Sequence, residues 1–175
     1  MLDASLARSR ARIAAAGVVD PAHVDRVARL VERRRPGHDA VAPLAFLDDT
    51  TTKNVIVHDG RLSGIVDVDV VCYGDALLPV ALTKMALHAR GWETDYVEAW
   101  LAALDHAPGQ AALLRLDRDV ATFCIDLLAE LGQRLNRDEP RPVDPTYVAR
   151  LLQILDESVL ASKTNMTCHM WHMAE

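Results

Sequence analysis

Two parts of the sequence carry oxygen-bearing side chains at spacings that could support chemistry. The stretch FLDDTTTKN, residues 46–54, contains Asp49 and, five positions later, Asn54, and Asp67 follows an apolar run further along. Carboxylate and amide oxygens are hard ligands that suit Mg²⁺, an ion usually shared with substrate phosphates. An aspartate beside such an ion can accept a hydroxyl proton and aim the alcohol at a phosphorus atom. The alternative is that these residues only cap a turn and begin or end a strand.

The run between Asn54 and Asp67 is typical of a β-hairpin. Asp59-Gly60 supplies the positive φ angles that a two-residue hairpin turn requires, and β-branched residues lie on both sides of it. A tight turn there would place Asn54 opposite Ile65, with Asp67 two residues further along the same strand and on the same face. The hairpin is therefore predicted to bring the polar side chains of the two parts together.

Helical patterns surround the hairpin, which is the only β structure that the sequence predicts. Asp20-Pro21 marks the start of a helix that ends at Pro36-Gly37, Gly91 is the expected cap of a helix over 77–90, and Asp144-Pro145 begins the last helix. The second helix has a predicted apolar stripe formed by Val24, Val27, Ala28 and Val31. Further helices are predicted over residues 3–16, 94–104 and 111–135. A hairpin alone is marginal in water and must lie against the helices, so the predicted fold is mainly α with one small β-hairpin, an α+β class.

Length and composition predict one soluble, cytoplasmic domain over residues 1–162, followed by a frayed tail over residues 163–175. A net charge of −6 argues against a nucleic-acid partner, and three scattered cysteines suggest a reducing compartment. No run approaches the ~18 apolar residues of a membrane span. The tail contains Cys168, His169 and His172, which have no evident fourth ligand nearby and are not expected to bind a metal.

Three motifs in the chain resemble those of one enzyme family. LDDTTTKN resembles the catalytic loop H-G-D-x-x-x-x-N of the aminoglycoside phosphotransferase-like kinases. GIVDVD resembles their metal-binding segment, and GDALLPVAL is similar to the G-D-P-x-x-D-L-A stretch that follows it. The three occur in the family's order, with a hairpin between the first two. The resemblance covers residues 5–160 and implies the C-terminal lobe of a protein-kinase-like fold.

The resemblance implies a role for each matching residue. Asp49 would be the catalytic base that positions the substrate hydroxyl, and Asn54 and Asp67 would hold Mg²⁺ against the phosphates of ATP, with GTP as an alternative donor. Asp69 would assist a second ion, and Asp75 would have a structural role beneath the catalytic loop. A further residue, Lys53, could contact phosphate, and a solvated lysine is the alternative.

The chain also departs from the family's pattern at several positions. Leu47 and Asp48 replace the histidine and glycine of the catalytic loop, Val68 replaces a tryptophan, and Pro79 replaces the second aspartate of G-D-P-x-x-D. Asp48 is accordingly expected to have a local structural role. None of these positions is the base or a metal ligand, so the expected chemistry is retained.

Before residue 40 the sequence predicts only helices, without a glycine-rich strand pair or a strand lysine that could cover a nucleotide. The chain is therefore expected to be a fragment, a truncated product, or a lobe completed by an ATP-binding N-terminal lobe or a second chain. The expected activity is transfer of the nucleotide γ-phosphate to a hydroxyl of a small molecule, aminoglycoside-like or another metabolite. One alternative is a catalytically inactive remnant that acts as a binding module. A weaker one is a metal-dependent phosphohydrolase, for which the chain has no His-Asp ligand spacing.

Overall fold

The computed structural model describes residues 2–104, 109–135 and 138–170, and these contain six α-helices, four short strands and one 3₁₀ turn. In chain order the elements are α1 (Leu2–Ala16), α2 (Ala22–Asp39), β1 (Leu44–Leu47), the 3₁₀ turn (Thr52–Asn54), β2 (Val55–His58), β3 (Arg61–Ile65), β4 (Val71–Gly74), α3 (Leu78–Arg90), α4 (Asp95–Ala103), α5 (Gln110–Glu130) and α6 (Pro145–Met170). The segment between β1 and β4 therefore contains the candidate site residues Asp49, Lys53, Asn54, Asp67 and Asp69, and Asp75 directly follows β4.

Helix α5 lies at the centre of the domain and packs against α1, α2, α3 and α6. Its apolar residues meet fully buried side chains from each of these helices, which include Ile13, Leu30, Met85 and Leu155. Burial of apolar surface is the main source of folding free energy. The helices therefore form the packed core of the domain, whereas the described strands pair mainly with each other.

Several predicted helix boundaries are confirmed. Gly91 ends α3 with a φ of 70°, and its N–H donates to the carbonyls of Leu87 and His88. This left-handed conformation suits glycine because no Cβ clashes with the following carbonyl. Asp144 caps the start of α6, where its Oδ1 accepts a hydrogen bond of 2.9 Å from the N–H of Thr146.

Two predicted helix ends are wrong. Helix α2 continues through Pro36-Gly37 to Asp39, because a proline removes one backbone hydrogen bond without preventing the residues after it from being helical. Helix α5 ends at Glu130, five residues before the predicted end, because Leu131 is extended and Gly132 has a φ of 71°. Three of the four residues predicted to form the apolar stripe of α2 are buried, whereas Ala28 is exposed. Leu30, which was not predicted, is also buried.

The described strands form two antiparallel ribbons rather than one. Strands β2 and β3 form the predicted hairpin, and β1 pairs with β4 in a ribbon that the sequence did not predict, with Leu44 opposite Gly74 and Leu47 opposite Val71. Both β1 and β4 are four residues long and lie far apart in the chain, so neither gives a strong local signal. The α+β class is confirmed with this correction, whereas the assignment as a kinase-like C-terminal lobe stays a prediction.

The two ribbons expose much apolar surface. Ten large apolar side chains between residues 44 and 73 are at least two-fifths exposed. They are Leu44, Ile56, Val57, Leu62, Ile65, Val66, Val68, Val70, Val71 and Tyr73. Contiguous exposed apolar surface on a soluble domain marks a place where another surface docks.

Helix α6 continues past residue 163 to Met170, and residues 171–175 lie outside the described part of the chain. The predicted frayed tail therefore stays a prediction, and the side chains of Cys168, His169 and His172 lie outside the description as well. Among the described helices, none combines the length and the apolar character that a bilayer span requires.

A buried ion pair lies in the middle of α5. Asp119 is 3% exposed, and its Oδ1 accepts a hydrogen bond of 2.8 Å from Nε of Arg118, which is also buried. Two adjacent charged residues in a helix are normally solvated, and burial of both is costly unless each is well paired. The buried pair therefore requires a precise arrangement of the side chains in this part of the core.

Asp119 is expected to make the free energy of unfolding depend on pH. Its stabilising contribution decreases as the pH rises, whereas that of a salt-bridged surface aspartate increases. Burial raises the pKa of Asp119 to about 6, although Arg118 opposes the shift. The folded state thus retains a proton that the unfolded chain loses near pH 4, so this contribution is full below about pH 4 and is lost as the pH rises through about 6. The free energy of unfolding should be measured with urea for wild type and Asp119→Asn from about pH 4 to 7. The wild-type value minus the variant value should decrease by roughly 1 to 3 kcal/mol over this range. A constant difference across that range would contradict the assignment.

Candidate active site

The loop between β1 and β2 is closed by its own hydrogen bonds. The side-chain Nδ2 of Asn54 donates to the carbonyl oxygen of Asp49 at 2.8 Å, and the N–H of Asn54 donates to the carbonyl of Thr51 at 2.9 Å. Asn54 is only 6% exposed. The predicted pair of Asp49 and Asn54 is thus brought together, and the remaining polar atom of the Asn54 side chain is an amide oxygen, which is a suitable cation ligand.

The carboxylate of Asp49 is held on both of its oxygens. Oδ1 accepts a hydrogen bond of 2.7 Å from the hydroxyl of Thr51, and Oδ2 lies 2.6 Å from Nζ of Lys53. Partial burial acts to raise the pKa of Asp49, but the hydrogen bonds from Lys53 and Thr51 outweigh it and hold the pKa below its ordinary value. Asp49 is therefore ionised at neutral pH, which is the state required to accept a proton.

A cleft of about 160 Å³ opens beside this carboxylate, and α3, the end of α5 and the start of α6 form its other walls. Besides Lys53, the cations Arg90 and Arg141 line it, together with Tyr147 and the apolar residues of α3. The sequence motifs did not indicate Arg90, Arg141 or Tyr147, because these residues belong to elements far from the loop and carry no recognisable spacing. Asp49 thus faces a cleft lined by three cations, of which Lys53 is paired with Asp49 itself and Arg141 with Glu130.

The hairpin register differs from the predicted one. A bulge between Ile56 and Val57 leaves Val55 opposite Ile65, and the N–H of Val66 donates to the carbonyl of Asn54 at 2.9 Å. The prediction that Asn54 lies opposite Ile65 is therefore wrong by one residue. One extra residue in a strand changes which side chains share a face, and such a bulge is not visible in the alternation pattern.

Asp67 follows directly after the pairing of Asn54 with Val66, so its backbone lies beside the loop. Its φ of 58° ends the extended pleat, and its side chain is exposed. The pleat argument for a face shared with Asn54 therefore no longer applies. Asp67 as a metal ligand stays a prediction.

The available oxygen atoms fit Mg²⁺ better than an ion that needs a full protein cage. Over the described ranges, no group of three or more His, Cys, Asp or Glu residues is placed to hold a metal ion. Mg²⁺ keeps several waters and is commonly bound through one or two protein oxygens plus substrate phosphates. The amide oxygen of Asn54 and the carboxylate of Asp67, the two ligands predicted from the sequence, would supply protein oxygens of that kind.

Asp75 anchors the start of α3. It is 4% exposed, its Oδ1 accepts a hydrogen bond of 3.1 Å from the N–H of Leu77, and its Oδ2 accepts one of 2.7 Å from Nε of Arg115. Asp75 therefore joins the start of α3 to α5, and its expected role beneath the catalytic loop stays a prediction. Asp69 is exposed on the loop between β3 and β4, and its role as a supporting residue for a second ion stays a prediction.

Asp48 has the local surroundings expected of it. Its N–H donates to the carbonyl of Val70 at 3.2 Å, which extends the pairing of β1 with β4 by one residue. Its Oδ1 lies 3.6 Å from Sγ of Cys72, within a weak hydrogen bond. Although Asp48 and Asp49 are adjacent, only Asp49 lines the cleft.

The fold and the site define the class of the protein. It is mainly helical, and a loop next to its two small β ribbons carries an ionised aspartate and a buried asparagine. The family model described as the phosphotransferase enzyme family, APH, matches residues 2–123. Because this match covers more than half of the chain, the protein belongs to that family. The family is one of kinase-like phosphotransferases, consistent with the resemblance of the motifs. No curated protein and no solved structure matched the chain.

Proposed function

We propose that the chain is the lobe of a small-molecule kinase that transfers the γ-phosphate of ATP, or of GTP, to a substrate hydroxyl once an N-terminal nucleotide-binding lobe completes it. The observation that carries this proposal is the Asp49 carboxylate, which faces a cleft and is joined to Asn54 through the loop backbone. Both residues lie within the range that matches the phosphotransferase family. Asp49 is the only carboxylate among the described residues that line this cleft.

The proposed chemistry requires little more than positioning and charge. Asp49 accepts the proton of the substrate hydroxyl as the oxygen attacks phosphorus, and the loop hydrogen bonds hold it in place for this. Asn54 and Asp67 would hold Mg²⁺, which would offset the charge of the nucleotide phosphates. Lys53 would move from Asp49 to a phosphate oxygen when the nucleotide is bound, because a phosphate offers it a higher negative charge.

The charged residues around the cleft beside Asp49 indicate which class of substrate it would bind. Lys53, Arg90 and Arg141 line the cleft, Asp49 is the one carboxylate among the described lining residues, and Arg141 is also paired with Glu130 outside the lining. Arg90 also lies 5.0 Å from the ring centroid of Trp92, which holds its guanidinium near the surface. We therefore propose a hydroxylated substrate with an anionic or neutral body rather than a polycation such as an aminoglycoside, although the chain as a whole is acidic.

The exposed apolar surface of the β ribbons separately supports the proposal that a second lobe docks on this chain. The ten exposed apolar side chains lie in the ribbons and in the segment between β3 and β4, close in the chain to the loop that carries Asp49. A nucleotide-binding lobe placed there would cover apolar surface and close the site against water, which strengthens the electrostatic interactions within it.

The test is a transfer assay with γ-labelled ATP and Mg²⁺. The chain would be assayed alone and together with an ATP-binding lobe, supplied in trans or as a fusion, against hydroxy acids, sugar phosphates, neutral polyols and aminoglycosides. Label transferred to a hydroxylated acid or polyol is the expected result. Release of inorganic phosphate without an acceptor would favour the phosphohydrolase alternative. If calorimetry detected no nucleotide binding even with the lobe, an inactive binding module would be the better assignment.

Lys53 should control the acidic limb of the pH–rate profile. Lys53→Met removes the cation beside Oδ2 of Asp49, so the pKa of Asp49 should rise and the acidic limb of kcat/KM should move to higher pH. Lys53→Arg keeps the charge and should leave the limb near its original position. The measurement is kcat/KM against pH for the three proteins. An unshifted limb in Lys53→Met would show that Asp49 is not the titrating base.

A further inference from the structure

A second, larger cleft shares no lining residue with the one beside Asp49. It has a volume of about 570 Å³ and lies between α1, α2 and α5, with the start of α3 at one end. Val31, Leu78 and Phe123 give it apolar walls. Small-molecule sites typically have volumes of roughly 300–1,000 Å³ and combine apolar walls with a few polar groups. The shape and lining therefore suit a compact organic ligand.

The polar groups of this cleft include a buried acceptor that is not satisfied. Oδ1 of Asp119 is bonded to Arg118, but Oδ2 has no hydrogen-bond partner within the residues described by the structure. The same holds for the buried Nδ1 of His38, which lines the cleft as well. A buried polar atom that is left unpaired destabilises the structure around it. A ligand that donates a hydrogen bond to Oδ2 would remove this destabilisation.

The charges around the cleft favour a cationic donor over an anion. Arg118 is bonded to the neighbouring carboxylate, and Arg35 is bonded to carboxylates on its own helix and on α1, so the charges of both guanidinium groups are already offset by carboxylates. Arg8 lies on the exposed rim. Two further carboxylates, those of Asp39 and Asp126, face the same space. An anionic ligand would meet these carboxylates, whereas a cation would be attracted by them.

We propose that this cleft is a second small-molecule site, which binds ligands with an amidinium or guanidinium group on an apolar body, an N–H of that group donating to Oδ2 of Asp119. Planar delocalised cations match carboxylate geometry and are less strongly hydrated than ammonium ions, so they lose less on burial. The apolar body would lie against Val31, Leu78 and Phe123. This site is independent of the proposed phosphotransferase activity.

Benzamidine is the probe for the first test, and benzoate, which has nearly the same shape but the opposite charge, is the matched control ligand. Titration calorimetry on the full chain at about pH 7.5 should show saturable one-site binding of benzamidine with a Kd below about 1 mM, which is an ordinary efficiency for a ligand of this size. Benzoate should bind at least about tenfold more weakly. Absence of saturable benzamidine binding, or equal binding of benzoate, would overturn the proposal.

Variants locate the bound probe. Asp119→Asn should weaken benzamidine binding by about tenfold or more, because the charge-assisted hydrogen bond is lost. Asp39→Asn removes the same charge from an exposed position on the cleft and should change Kd by less than about threefold. Asp49→Asn should leave Kd unchanged, and a loss of binding in that variant would place benzamidine in the other cleft. Unchanged binding in folded Asp119→Asn would overturn the proposal.

Two further measurements can test the proposed binding site even if Asp119→Asn does not fold. Phe123→Ala, which shortens a half-buried wall of the cleft, should weaken binding about threefold to tenfold. In the wild-type protein, lowering the pH from about 7.5 to about 5 should weaken binding at least about fivefold, because burial raises the pKa of Asp119 to about 6. Affinity that is insensitive to both changes would overturn the proposal.

His38 has to be separated from Asp119 in the pH experiment. Burial, and then the nearby Arg118, lower the pKa of His38, so protonation of His38 at low pH would also repel a cation. The other charged groups that act on Asp119 are Asp75 and Arg115. His38→Gln should retain the loss of affinity at low pH. If that variant bound benzamidine equally at both pH values, the assignment of the acceptor to Asp119 would be wrong.

Discussion

Asp49→Asn is expected to reduce phosphoryl transfer by about 10²- to 10⁴-fold, with little change in substrate KM. The amide is nearly isosteric with the carboxylate and can still accept a hydrogen bond from the hydroxyl of Thr51. It cannot accept a proton at neutral pH, so the loss should fall on kcat. Single-turnover transfer to the acceptor found in the transfer assay, with the N-terminal lobe present, measures this directly.

Asp48→Asn is the matched control for this experiment. It makes the same chemical change one residue earlier, at an exposed side chain outside the cleft, and should keep transfer within about twofold of wild type. Thermal melting of both variants would confirm that each is folded. If Asp49→Asn retained wild-type transfer, Asp49 would not be the base. Equal losses in the two variants would mean that general negative charge on the loop matters rather than one carboxylate.

Asp75→Asn should cause the largest loss of stability, about 3–5 kcal/mol. The side chain is buried and joins the start of α3 to Arg115 on α5. The asparagine can still cap the helix, so the loss comes mainly from leaving the Arg115 guanidinium mostly buried without its charged partner. Because a domain of this size is stable by only about 5–15 kcal/mol in total, a change of this magnitude should lower the urea midpoint strongly.

Two comparisons separate this mechanism from a general effect of charge. Asp69→Asn changes an exposed aspartate of the same region and should alter stability by no more than about 0.5 kcal/mol. Combining Asp75→Asn with Arg115→Met should recover part of the loss, because the double variant no longer buries an unpaired charge. If Asp75→Asn alone were as stable as Asp69→Asn, the ion pair would not contribute to the fold.

The sequence was most informative where one residue type determines local geometry. Asp59-Gly60 correctly located the hairpin turn, since both residues have positive φ, and Gly91 correctly located the end of α3. The spacing of Asp49 and Asn54 correctly indicated a loop in which the two meet. In each of these cases the decisive interactions span at most a few residues, so a single sequence carries the necessary signal.

Features that depend on distant parts of the chain could not be predicted in this way. The β1–β4 ribbon joins segments about two dozen residues apart, and the bulge in β2–β3 changes the register without leaving a local signal. Burial of Arg118 and Asp119 was equally hidden, because adjacent charges on a helix normally indicate a solvated face. Tertiary packing decides each of these features, and it was therefore the larger cleft, rather than the catalytic loop, that the sequence left undetected.

The exposed ribbons also have a consequence for how the chain behaves at high concentration. Both ribbons have only two strands, so each offers unpaired backbone edges next to apolar side chains such as Val57 and Tyr73. Edges of this kind are templates for adding another strand and lead to self-association when nothing covers them. The isolated chain should thus remain monomeric only in dilute solution, and the companion lobe proposed above would also protect these edges from self-association.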